Sequence, residues 1–307
     1  MASSCAPRIA VAPATSPPWV NVAVQHGGGE LVPVVECEGL IWGLGRDAAL
    51  LEDTLAGAPH CRWVQLPFAG VEYYTHLFDD GRTWTCAKSV FAEPVAELAL
   101  SLALAGMRNV GAYHRAQSWS DPAGRNLFDA NVTIVGGGGI TESLVGLLQP
   151  FRTRITVVRS RLQEMNGVAE VLSLDQLSDA LPGADLVVLA VALTAETDQL
   201  ISESELGLME CHAWLVNVAR GRHIVTDHLV AALQAGTIGG AGLDVTDPEP
   251  LPDSHPLWTL DNCIITPHTG TTPDMDEPLM SARIATNVAA FGSGEPLIGL
   301  VDAQRGY

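Results

Sequence analysis

Three side chains in this sequence are of types that do chemistry together: Arg220 in VNVARG, Glu249 in GLDVTDPEPL and His268 in ITPHTG. Each lies at the end of an apolar run that reads as a strand, or in the loop beyond one. An imidazole titrates near neutral pH and can exchange a proton with a reacting group. A carboxylate hydrogen-bonded to its far ring nitrogen fixes the tautomer and favours the cation. A guanidinium presents a planar fork of donors matched to a carboxylate. The set is an acid/base pair beside an anion clamp. Taken singly, Arg220 also reads as a surface charge, Glu249 as a turn residue between Pro248 and Pro250, and His268 as a satisfied loop histidine.

Positioning such a set requires strands that end in loops. The first part of the chain alternates short apolar runs with turns: RIAVA at 8–12, LVPVVE at 31–36, LIWGL at 40–44, WVQLP at 63–67 and TWTC at 83–86. The pattern predicts a strand-rich α/β fold, with a helix between Asp47 and Gly57. Pro94 suits the first turn of a helix over 95–107, which is apolar on nearly every face and must be buried. From residue 131 the rhythm is regular, with VTIV (132–135), ITVV (155–158), LVVLAV (186–191), WLVNV (214–218) and CIIT (263–266) separated by helical or loop stretches. Continuous apolar strands of this kind predict a parallel sheet covered on both faces. Asp274 to Phe291 reads as a closing helix.

In NVTIVGGGGITESLVG a strand runs into Gly136–Gly139 and then a helix. Glycines there permit a tight turn and close backbone approach, and the helix N-terminus offers N–H groups to a pyrophosphate. Gly136 and Gly138 fill the first two positions of G-x-G-x-x-G, while Thr141 places a β-branched side chain at the third. The end of the next strand usually selects the dinucleotide through an acidic residue. Here it is Arg159–Ser160–Arg161, two guanidiniums around a hydroxyl, which favours NADP over NAD. The plainer reading is that both arginines are solvated and either cofactor serves.

The three segments, in this order behind a glycine turn, resemble the D-isomer-specific 2-hydroxyacid dehydrogenases. The resemblance implies two Rossmann-like domains with parallel sheets, the nucleotide domain inserted into a discontinuous substrate domain. Residues 1–98 with 272–307 would be the substrate-binding, flavodoxin-like part and 99–271 the dinucleotide-binding part. It also implies hydride transfer between nicotinamide and a small 2-keto or 2-hydroxy acid, with glyoxylate, hydroxypyruvate or a similar acid favoured. His268 would be the acid/base, Glu249 its orienting partner and Arg220 the clamp on the carboxylate. Gly136, Gly138, Gly139, Ile140, Val191, Ala192, Thr197, Ala219, Asp244 and Gly270 fall at matching cofactor positions, with Ala192 replacing a common proline. Ala69, Gly70 and Val71 in LPFAGVEYY match the loop whose N–H groups meet the substrate carboxylate, and Phe68 replaces a small residue. His255 and Trp258 belong to the same signature and look structural. His212, His223 and His228 lack such context and read as surface residues. Trp119 resembles a position that in some relatives crosses from a partner subunit, and the family habit is a homodimer. The competing readings are a phosphoglycerate or lactate dehydrogenase and, from another class, a dinucleotide-sensing corepressor-like binding protein.

Composition agrees with a globular enzyme: 47% of residues are hydrophobic and 17% charged, and 307 residues suit two domains sharing a cleft. A net charge of −19 disfavours nucleic acid and anionic membrane as partners and obliges any anionic substrate to be caught by a locally basic site. Lys88 is the only lysine, so nearly all positive charge is guanidinium. Six scattered cysteines (Cys5, Cys37, Cys61, Cys86, Cys211, Cys263) show no metal-ligand spacing and predict reduced thiols in a cytoplasmic protein. No metal is expected. The N-terminus lacks the basic and apolar segments of a signal peptide, and no stretch reads as a membrane span.

Overall fold

Two parallel sheets organise the chain, one in each of two compact units, Met1–Phe91 with Thr272–Tyr307 and Ala92–Thr271. The computed structural model describes residues 6–43, 45–78 and 81–303, so Cys5 and Leu44 lie outside the described residues.

In the first unit β1 (Arg8–Ala12), α1 (Pro18–His26), β2 (Glu30–Leu31), β3 (Gly39–Trp42), α2 (Ala48–Ala56), β4 (Trp63–Gln65) and β5 (Thr83–Thr85) follow one another. The strands pair in the order β2-β1-β3-β4-β5, all parallel. β3 and β4 are buried at every position, because helices cover both faces. Asp47 caps α2 by accepting from the Leu50 N–H at 2.9 Å, and Gly57 ends it. The apolar run at 31–36, predicted as a strand, pairs only at Glu30–Leu31 and then closes into a 3-10 turn at Val34–Glu36. Pro33 has no N–H to continue the ladder, which is the physical reason.

The second unit begins with α3 (Ala92–Met107) and α4 (Val110–Arg115), followed by β6 (Asn131–Val135), α5 (Gly139–Leu148), β7 (Arg154–Val158), β8 (Glu170–Leu172), α6 (Leu177–Ala180), β9 (Leu186–Leu189) and α7 (Glu203–Leu208). It ends with β10 (Trp214–Asn217), α8 (Thr226–Ala235), β11 (Gly240–Leu243) and β12 (Cys263–Ile265). Its seven strands are parallel in the order β12-β11-β10-β9-β6-β7-β8. Strand order therefore reverses at β6, so the turn after β6 opens at the point where doubly wound sheets bind their ligands. β9, β10 and β11 are buried throughout, and each fully buried Leu, Val or Ile there contributes about 1.5–3 kcal/mol. α3 buries Ala96, Ala99, Leu102, Ala103 and Met107 in the core of this unit.

α9 (Pro273–Ser293) returns to the first unit, where Met280, Ile284 and Val288 share a core with Val20, Ala23 and Val24 of α1. A buried polar network fixes it further. Asn287 Nδ2 donates to Gln65 Oε1 at 2.8 Å, Thr85 Oγ1 donates to the same oxygen at 2.9 Å, and Trp63 Nε1 donates to Thr85 Oγ1 at 2.8 Å. Leaving any of these groups without its partner would cost about 1–3 kcal/mol.

Among the described residues no helix is long and apolar enough to cross a membrane, and no group of His, Cys, Asp or Glu could hold a metal ion. Cys37, Cys61, Cys86, Cys211 and Cys263 are free thiols.

Candidate active site

His268 sits in the loop beyond β12 in the left-handed region, with φ +53°, which a non-glycine residue enters at a cost of about 1–2 kcal/mol. Asp244, at the end of β11 and 3% exposed, holds it there. The Asp244 carbonyl accepts from the His268 N–H at 2.8 Å. Its carboxylate accepts from Thr266 Oγ1 at 2.6 Å, the Thr269 N–H at 2.8 Å and the Gly270 N–H at 2.9 Å. These charge-assisted bonds on both sides of His268 over-determine the strained residue. The imidazole Nδ1 lies 2.7 Å from Glu249 Oε1, and both side chains keep about a third of their surface exposed (34% each). Since an ionised carboxylate only accepts, Nδ1 is the donor, which leaves Nε2 as the ring nitrogen directed elsewhere.

Arg220 follows β10 on a turn fixed by Asn217, whose side chain is fully buried. Asn217 Nδ2 donates to the Arg220 carbonyl at 2.8 Å, and its Oδ1 accepts from the Ala219 N–H at 3.0 Å. Arg220 Nη1 donates to the Ala219 carbonyl at 2.7 Å. Gly221 joins this turn to the segment leading to Glu249. A Cβ there would lie 2.0 Å from the Thr246 carbonyl carbon and oxygen, so only glycine permits the approach. Thr226 Oγ1 donates to the Asp247 carbonyl at 2.6 Å, and Thr246 Oγ1 to that of Pro248 at 2.8 Å. All three candidate catalytic residues thus arise on loops of one sheet edge in the second unit.

The glycine turn lies on the same sheet. Gly136 has φ +123°, and a Cβ on it would stand 2.0 Å from the Ala190 carbonyl oxygen. Gly138 caps α5 in extended conformation, and a Cβ on it would meet nothing within 4 Å. The turn therefore offers bare backbone and open space at a helix N-terminus, which fits a pyrophosphate. Arg159, at the end of β7, lies over the turn, its Nε 2.4 Å from where a Gly137 Cβ would be. Ser160 and Arg161 follow it and are exposed.

A family model described as D-isomer specific 2-hydroxyacid dehydrogenase, NAD binding domain, matches residues 99–270. The chain belongs to the D-isomer-specific 2-hydroxyacid dehydrogenases. It is 39% identical over 254 residues to a Corynebacterium melassecola protein known only by its position in the proB 3′ region, spanning 80% of this chain and 84% of the other. It is 35% identical over 224 residues to the glyoxylate reductase of Pyrococcus horikoshii, a match spanning 69% of this chain and 66% of that enzyme. The structure of a D-isomer specific 2-hydroxyacid dehydrogenase from Xanthobacter autotrophicus, in complex with NADPH and MES, superposes with a TM-score of 0.86 at 25% identity, covering 99% of this chain and 100% of that one.

As a 2-hydroxyacid dehydrogenase the chain is an NAD(P)-dependent oxidoreductase, and several sequence positions take on definite surroundings in it. Thr197 is buried, and its hydroxyl serves its own loop, accepting from the Thr194 N–H at 2.8 Å and donating to the Ala192 carbonyl at 2.7 Å. Ile140 packs on the core of the second unit, and Ala219 is buried. Thr141 is buried with its hydroxyl unpartnered, so the departure at the third glycine position is accommodated sterically while leaving a polar atom unsatisfied. Trp119 is fully exposed. His255 caps its 3-10 turn by accepting from the Leu257 N–H at 3.3 Å, and Trp258 Nε1 donates to the Pro252 carbonyl at 3.0 Å.

His223, read from sequence as a surface residue, is fully buried. Its Nδ1 lies 2.7 Å from the Thr197 carbonyl and its Nε2 3.1 Å from that of Val191. The ring therefore lies between the two ends of the 191–197 loop, a neutral imidazole having one N–H to donate to one of the two carbonyls, with the bidentate Arg222–Asp198 pair beside it. The polar neighbours Arg222 and Thr226 concealed this, although Ile224 two residues before a helix start gave a faint sign of a buried turn. Burial lowers the His223 pKa below its usual 6.5, outweighing the carbonyl contacts. The unfolded chain then binds a proton that the folded chain refuses. Stability from this group is complete above about pH 6.5 and is lost as pH falls through the lowered folded value. Urea midpoints between pH 5 and 8 should fall more steeply on acidification for the wild type than for His223→Leu. Parallel curves would mean that His223 is not the titrating group.

Proposed function

We propose that this dehydrogenase reduces small 2-keto acids of the glyoxylate and hydroxypyruvate kind, using NADPH in preference to NADH. The observation that carries the reading is the 2.7 Å contact between His268 Nδ1 and Glu249 Oε1, which presets the imidazole as a proton donor through Nε2. The glyoxylate reductase name of the Pyrococcus relative and the NADPH held by the Xanthobacter structure support it.

In the reducing direction His268 gives its Nε2 proton to the carbonyl oxygen of the substrate. Glu249 stabilises the imidazolium before transfer and holds the tautomer after it. Arg220 pairs with the substrate carboxylate and polarises the neighbouring carbonyl. Ala69, Gly70 and Val71, at the positions that match the family's substrate loop, are read as carboxylate-binding through their backbone N–H groups. Asp244 is a positioning residue, since its carboxylate fastens the loop that carries His268. Gly136, Gly138, Gly139 and Ile140 hold the pyrophosphate at the start of α5, and Arg159, Ser160 and Arg161 hold the 2′-phosphate. When bound, the reduced dinucleotide supplies the hydride.

The test follows NADPH and NADH absorbance separately with glyoxylate, hydroxypyruvate, pyruvate and phenylpyruvate. NADPH oxidation should dominate. Removing both guanidiniums in Arg159→Ala/Arg161→Ala should shift the NADPH/NADH ratio of kcat/KM at least tenfold toward NADH, as lost charge-assisted bonds of about 1.5–3 kcal/mol each require. An NADH preference in the wild type would sink the cofactor assignment and leave the acid/base assignment standing. Dinucleotide binding without turnover on any acid would favour a sensing role instead.

A further inference from the structure

The loop after β3 carries a cation that this chemistry does not use. The guanidinium of Arg46 lies 5.8 Å from the centroid of the Phe68 ring and 5.5 Å from that of Tyr73, within cation–π range of both. The hydroxyl of Tyr74 donates to the Gly45 carbonyl at 2.5 Å and so ties the loop after β3 to the loop after β4. In a sheet ordered 2-1-3-4-5, strand order reverses between β1 and β3, and ligands gather outside the carboxyl ends of the strands at that point. Arg46 therefore stands at the end of this sheet suited to receive a ligand.

Phe68 and Tyr73 bracket Ala69, Gly70 and Val71, the segment proposed to meet the substrate carboxylate. Among the described residues Arg46 has no ion-pair partner, and the adjacent Asp47 carboxylate is engaged as the cap of α2. A guanidinium laid against ring faces keeps its in-plane donors for a second planar group, which is the geometry of two-point carboxylate binding. In a chain of net charge −19 a local cation of this kind counts heavily for an anionic ligand.

We propose that Arg46 is a specificity-determining residue that binds a second carboxylate at the far end of the substrate, so that within its class the enzyme prefers 2-keto acids with two carboxylates. The inference rests on the reading of residues 69–71 as the substrate loop.

Oxaloacetate and 2-oxobutyrate have the same number of carbons and differ in a terminal carboxylate against a methyl group, which makes them the probes. With NADPH fixed, kcat/KM is measured for both on the wild type, Arg46→Gln and Arg46→Lys. The wild type should favour oxaloacetate at least tenfold. Arg46→Gln should lower that ratio tenfold or more, chiefly through the KM for oxaloacetate, and Arg46→Lys should fall between. A smaller change in Arg46→Gln, or a wild type without the preference, overturns the proposal. If the wild type reduces 2-oxobutyrate and only the ratio fails, Arg46 alone is misassigned. If it reduces neither acid nor glyoxylate, the proposed activity falls with it.

Discussion

His268→Asn should lower kcat for glyoxylate reduction by about 10²–10⁴-fold, the usual contribution of a positioned acid/base, while NADPH binding followed by fluorescence stays within a few-fold of wild type. Asparagine is the informative replacement because it tolerates the left-handed backbone that His268 adopts at φ +53°. An alanine would add loop rearrangement to the lost imidazole. On the scale of about 1.4 kcal/mol per tenfold, the expected loss is about 3–5 kcal/mol of transition-state stabilisation. A kcat within tenfold of wild type would remove His268 from the chemistry.

Arg220→Gln should cost about 10²–10³-fold in kcat/KM for the same acid, with a rise in KM as well as a fall in kcat. The side chain is proposed both to pair with the carboxylate and to polarise the carbonyl, so ground-state and transition-state interactions are lost together. Arg220→Lys should recover little, because a point charge on a flexible stem does not reproduce the fork that the Asn217-locked turn presents. Steady-state kinetics on the three proteins test this. A lysine variant that matches the wild type would reduce the role of Arg220 to charge alone.

Much of the second unit is legible in the sequence because buried parallel strands appear as unbroken apolar runs. β6, β7, β9, β10 and β12 all begin within a residue of such a run. The glycine turn is equally plain, since few other contexts place several glycines between an apolar strand and a helix. β11 is not legible. Its sequence GAGL carries glycines at two positions, where Trp214 packs against Gly240 and Leu102 against Gly242, so an element defined by what its neighbours fill shows no apolar pattern of its own. The short strand β8 is half exposed and too brief to register.

The candidate site divides in the same way. Arg220, Glu249 and His268 are conspicuous by type and context. Asp244 and His223 do their work through contacts with groups more than twenty residues away in sequence, which nothing local announces, and Asn217 holds the turn two and three residues beyond itself, a bond that its residue type alone does not single out. Asp244 matches a cofactor position by resemblance, and its carboxylate bonds to the histidine loop. A single arginine after a strand carries no signal of its own in the sequence, and it is the two aromatic rings against Arg46 that distinguish it.

The close approach at Gly221 constrains how enzymes of this kind can diversify. With the backbone after Arg220 resting directly on the backbone before Glu249, neither loop can gain or lose a residue without displacing the other. Changes in loop length are therefore better tolerated in segments outside that coupled pair, and the stretches at 43–47 and 66–73 are where such divergence should accumulate.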